Sequence, residues 1–264
     1  MTTTNSPQSN DLEQRLERLE TSSAPKPWFR QPSVIISIVA LLLSLSATIY
    51  GEQRAGARDA STARDRLSGL IARLDALPKE NASLIAQYAD DPQTLANLGS
   101  STQTELVVTS QQAADIISVI PDDVSGAEYY AVGAGLALAG NYGRAQAMFD
   151  TGLTRESDPQ TQAAIWRTKA SIYFGSGDLD RARTAMSQAL SVFTSAGDSG
   201  SELQATYTEW QWSLGELFAR RCSDAQVHLG RAREHLASTP ASPVAQMYAG
   251  LVTQTESAAQ ECVP

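Results

Sequence analysis

Two histidines and two cysteines among 264 residues leave little material for a metal centre or for nucleophilic catalysis. His228 and His235 stand seven apart on one expected helix, and together with Cys222 and Cys262 they match no usual zinc spacing. Both histidines are expected at the surface. Relays of the Ser–His–Asp kind are hard to assemble from so few imidazoles. Phosphate loops are missing too: Gly133, Gly135 and Gly140 have the wrong spacing for a dinucleotide fingerprint, and no Gly-Lys-Ser/Thr follows them. A basic patch is also lacking. The chain has 20 Lys and Arg against 29 Asp and Glu, a net charge of −9, the opposite of what phosphate neutralisation requires, so no nucleic-acid partner is expected. The paired acids Asp122 and Asp123 sit beside helix ends, where turn and cap roles suffice. No enzyme, cofactor or metal is expected from this composition.

One long hydrophobic run is present. Residues 33–50 read SVIISIVALLLSLSATIY without a charge. With Pro32 they reach about 28 Å at helical rise, close to the thickness of a bilayer's hydrocarbon. Trp28 and Phe29 precede the run and Tyr50 closes it, as interfacial aromatic rings do. A transmembrane helix over 32–50 is therefore expected. A cleaved signal peptide fits less well, because the leading segment would be long and carries acids. Basic residues are balanced across the run, with Arg15, Arg18, Lys26 and Arg30 before it and Arg54, Arg58, Arg64 and Arg66 after it. Charge alone thus gives no orientation.

Around that run the chain divides by composition. Residues 1–31 form a polar tail with a short amphipathic helix, DLEQRLERLE, at 11–20. Residues 51–77 carry Ala60, Ala63, Leu67, Leu70, Leu74 and Leu77 in an a/d seam. This helical stalk either forms a homodimer or packs on its own domain. Pro78 is expected to end it. The segment 78–125 is acidic, with Glu80, Asp90, Asp91, Glu105, Asp115, Asp122 and Asp123 against Lys79. Two helices are expected there, over 81–98 and 103–120.

Self-similarity begins at Gly126. Tyr129, Gly133, Leu136, Gly140, Ala145, Phe149 and Gly152 align at a fixed offset of 37 with Trp166, Ala170, Tyr173, Gly177, Ala182, Met186 and Ala189. Bulky and small residues alternate at helical spacing, a glycine turn follows, and a second helix offers small, large, small. That pattern resembles the tetratricopeptide repeat, a helix-turn-helix unit of about 34 residues. A third copy is weaker: Leu214-Gly215 and Phe218 fit its first helix, and Ala225, Leu229 and Ala232 its second. In that register its turn, Ala-Arg-Arg-Cys-Ser-Asp, is two residues short. The expected fold is all-α, with repeats over 126–237 and a capping helix in 238–264.

The resemblance implies a concave face lined by first-helix residues: Tyr130, Ala134, Ala137 and Leu138 in repeat one, and Arg167, Ser171 and Phe174 in repeat two. Such arrays bind other proteins, and this face is mostly apolar, so an apolar helix or extended peptide is the expected ligand. Helices from 80–120 or the C-terminal cap are the alternative occupants. Cys222 opens the second helix of repeat three and Cys262 follows the last helix. The two helices are neighbours of similar length on a short connection, so they should run antiparallel and bring the two thiols within bonding reach. A disulfide there implies an oxidising compartment, with the N-terminus cytoplasmic and the repeats in the cell envelope. The expectation is a membrane-anchored adaptor or scaffold. A structural subunit of a larger membrane complex, held by its anchor and stalk, is the alternative.

Overall fold

The computed structural model describes the backbone of residues 32–193 and 199–262, and the side chains of residues 60–193 and 200–262. The tail and helix expected within 1–31 lie outside these residues. The expected membrane span, 32–50, is helical in backbone, and its side chains lie outside the described residues. Among the described residues no helix is long and apolar enough to cross a membrane.

All regular structure described is helical: α1 Pro32–Gln87, α2 Pro92–Val119, α3 Gly126–Leu138, α4 Tyr142–Arg155, α5 Pro159–Gly175, α6 Leu179–Ser191, α7 Ser199–Phe218, α8 Cys222–Ala237 and α9 Pro243–Glu261. The chain forms two compact units, 1–61 and 62–264, and everything below concerns the second. There α3 pairs with α4, α5 with α6, and α7 with α8, while α2 packs on α3 and α9 packs on α7 and α8. This is a helical-repeat solenoid.

Pro78 does not end a helix. It lies inside α1, which runs on to Gln87. A helical proline gives up one backbone bond and crowds the preceding turn. Here Leu74 and Leu77 are buried just before it, and ion pairs span it: Lys79 with Asp75 at 2.9 Å, and Arg73 with Glu80 at 2.6 Å. Arg73 also reaches Glu105 on α2 at 2.6 Å. The two helices expected over 81–98 and 103–120 are instead the end of α1 and one helix, α2. Pro92 opens α2 behind the cap of Asp91, whose carboxylate accepts from the Thr94 amide. Of the a/d seam, Leu67, Leu74 and Leu77 are buried within the chain's own domain.

The three hairpins share one turn. Gly140 and Gly177 have φ of +80° and +78°, and Arg220 has φ of +55°. In each, this residue's amide donates to the carbonyl three residues back and the next amide to the carbonyl five back: Gly140 to Ala137 and Asn141 to Leu136, Gly177 to Phe174 and Asp178 to Tyr173, Arg220 to Leu217 and Arg221 to Glu216. That is the helix-ending motif in which a left-handed residue satisfies orphan carbonyls. The third turn is therefore not short; the expected register was wrong. Glu209, Ser213 and Glu216 occupy the places of Tyr129, Gly133 and Leu136. Leu214 and Phe218, assigned to the packing face, are exposed.

Polar residues hold those core places because α7 presents Glu202, Glu209 and Glu216 in a row, each with a partner. Glu202 faces His235 at 2.7 Å and Glu209 faces His228 at 2.6 Å. Glu216 takes both Nε and Nη2 of Arg183 at 2.8 Å and the Trp212 indole N–H at 3.0 Å. The histidines are thus not surface residues. His228 is buried, with its ring stacked on Trp212 at 4.0 Å, and His235 is half-buried.

Arg220 lacks the freedom of glycine at a left-handed position, where a Cβ is costly. Arg220→Gly should stabilise the chain by up to about 1 kcal/mol, read as a raised denaturation midpoint. An unchanged or lowered midpoint would show that the turn carries no strain.

Candidate binding cleft

The first helices α3, α5 and α7 lie side by side, and between their C-terminal ends the surface is hollow. One cavity of about 420 Å³ is walled by Ala134, Leu138 and Tyr142 on one side and by Ser171, Ile172 and Gly175 on the other. A second, of about 380 Å³, lies between α5 and α7 and is walled by Phe174, Gln211, Leu214, Gly215 and Phe218. Ser171 and Gly175 line both, so the two form one cleft. Beyond Leu138 a third hollow of about 220 Å³ continues over Leu77, Pro78, Gln103 and Leu106.

Helix-end positions create this surface. Leu138, Gly175 and Phe218 are equivalent in the three repeats, each two residues before the left-handed turn residue. The turn folds the chain back and leaves them uncovered: Leu138 is 62% exposed and Phe218 72%. Glycine at position 175 opens the space between them. No acid or base is among the residues lining the three hollows, although the chain carries a net charge of −9.

The expected groove residues divide. Leu138 lines the cleft and is exposed. Phe174 forms its floor and is itself buried, because Gly215 of α7 packs on the ring; a Cβ there would lie 2.4 Å from it. Tyr130 is half-buried, with its ring tilted on Phe149 at 6.3 Å between centroids. Arg167 is buried one turn before Ser171. Its Nη1 donates to Thr208 Oγ1 at 3.1 Å and to Gln204 Oε1 at 3.4 Å, and its guanidinium lies over the Tyr207 ring at 4.9 Å. Burial pushes the Arg167 pKa down, against the raising influence of Tyr207, Tyr130 and Tyr248. Ile172 was overlooked in the sequence, and Leu214 and Phe218 were misassigned. The turn sequence Ala219-Arg220-Arg221, placed against Ala139-Gly140-Asn141, is the signal that would have set the register.

Away from the cleft, Cys222 and Cys262 are joined as a disulfide with Cα atoms 5.8 Å apart. It ties the start of α8 to the residue after α9. Among the described residues no group of three His, Cys, Asp or Glu is placed to hold a metal ion. Comparisons with family models, with curated proteins and with solved structures give no match for this chain.

Proposed function

We propose that the protein is a membrane-anchored adaptor of tetratricopeptide-like build, whose cleft holds an apolar helix or extended peptide of another protein. The observation that carries this reading is the open, uncharged cleft with Leu138, Leu214 and Phe218 exposed along it. Apolar groups gathered in a concavity, and left open by the described residues, mark an interaction surface. A purely structural subunit would be expected to fill that groove with its own helices. The hydropathy of residues 33–50 supports the anchor. The Cys222–Cys262 bond supports an oxidising compartment for the repeats, hence a cytoplasmic N-terminus.

Photocrosslinking tests this in native membranes, with a benzophenone side chain at position 218 or, as a control, at Val227, which is exposed on α8. Adducts of discrete size are expected from 218 and not from 227. Leu214→Glu should abolish them, because a carboxylate inserted in an apolar contact must be desolvated. Equal labelling from both positions, or labelling that ignores Leu214→Glu, would rule out the cleft as the binding surface.

A further inference from the structure

Two cations are buried in the described domain, Lys169 and Arg167. Lys169 is paired with the Asp150 carboxylate. Arg167 makes no ion pair among the described residues. A guanidinium has five N–H donors, and only Nη1 of Arg167 is used, on two neutral acceptors. Among the described residues Arg64 Nη1 is the one side-chain atom that is both sealed from solvent and unpartnered. The remaining donors of Arg167 have no partner among the described residues and are not wholly sealed from solvent.

The surroundings of Arg167 are suited to an anion. Its guanidinium lies over the ring of Tyr207 on α7 at 4.9 Å, beside the neutral oxygens of Thr208 and Gln204. Tyr207 is stacked on Tyr248 at 5.6 Å, and its hydroxyl accepts from Gln211 Nε2 at 2.8 Å, which leaves its own proton to donate. The group is continuous with the cleft. Gln211 lines the second cavity, and Ser171 lines both while donating to the Arg167 carbonyl at 3.1 Å. Arg167 thus stands one helical turn, about 5 Å, from the apolar hollow. A desolvated cation without a counter-charge is costly, and a partner's carboxylate would recover the lost solvation.

We infer that the cleft takes an apolar peptide segment carrying one carboxylate, and that Arg167 is its counter-ion. In a bound helix the acid would stand about one turn from apolar residues spaced three and four apart. This inference rests on the adaptor reading and adds the chemistry of the partner. Uncharged cavity walls and a single cation favour one acid, not an acidic tract.

Selection from a displayed library of 12-residue apolar peptides, each with one position randomised, tests it on the full chain in nanodiscs. Selected peptides should carry one Asp or Glu. Their Gln twins should bind about 10-fold more weakly or worse, the worth of a charged hydrogen bond. Against Arg167→Gln the two twins should bind alike, and Arg167→Lys should restore part of the difference. If Arg167→Gln fails to fold, the wild-type preference and its reduction in Tyr207→Phe decide. Peptides that bind Glu and Gln forms alike, yet are lost on Phe218→Glu, would overturn the carboxylate inference and leave the adaptor reading standing. Peptides indifferent to Phe218→Glu, or no binder at all, would overturn both. An Arg167-dependent response to dodecanoate, with no acid preference among peptides, would also overturn it and point to a lipid acid.

Discussion

Phe149→Ala should destabilise the repeat domain by about 3–5 kcal/mol, a large part of the stability of a typical domain. The ring is fully buried on α4 and is, among the described residues, the largest of the side chains closed off from solvent. It fills a place made for it by Gly133 of α3, where a Cβ would lie 2.6 Å from the ring. Alanine there leaves a cavity bounded by helix backbone, which cannot collapse without pulling α3 and α4 together. Chemical denaturation of the full chain, followed by helical circular dichroism, reads the effect. Gly133→Ala fails for the opposite reason, overpacking, and the pair should be non-additive: with the ring gone, the extra methyl has room. A loss under 1 kcal/mol for Phe149→Ala would mean that the hairpin relaxes freely.

The same position explains why the repeats were legible unevenly. Gly133 and Phe149 in repeat one, and Ala170 and Met186 in repeat two, advertise close helix packing through size alone. Sequence pattern reads that directly. Repeat three keeps the small and large residues of its second helix, Ala225, Leu229 and Ala232, but replaces the first-helix apolar places with Glu209 and Glu216. Their burial depends on His228 and Arg183 arriving from other helices, with the Trp212 indole one turn before Glu216 on α7 itself. No local pattern encodes a partner from another helix, so the apolar Leu214 and Phe218 drew the register two residues away. Pro78 misled for a similar reason. Its local penalty is real, but tertiary burial of Leu74 and Leu77 outweighs it. At the cleft, the faces of α3 and α5 followed from helical spacing. The burial of Arg167 did not, because its cover comes from α7 and α9, far along the chain.

Breaking the Cys222–Cys262 bond should have an effect of comparable size. The bond closes a 40-residue separation, for which loop-closure entropy gives about 4 kcal/mol, with roughly 2–4 kcal/mol usual in practice. Its effect should fall on α9. That helix is held to α7 and α8 by a small cluster, Leu229, Ala232, Val252 and Ala259, by the Trp210 indole bonded to Thr255 Oγ1 at 2.9 Å, and by the Arg233–Glu256 pair. Exposed ion pairs add little, so the covalent tie carries much of the cap. Cys222→Ser with Cys262→Ser should lower the denaturation midpoint and speed amide exchange along α9 before the rest of the domain. Because Tyr248 lies on α9 against Tyr207, loosening that helix should also weaken any Arg167-dependent peptide binding, while leaving the apolar hollow between α3 and α5 intact. Equal midpoints for oxidised and reduced protein would show that α9 docks without its bond.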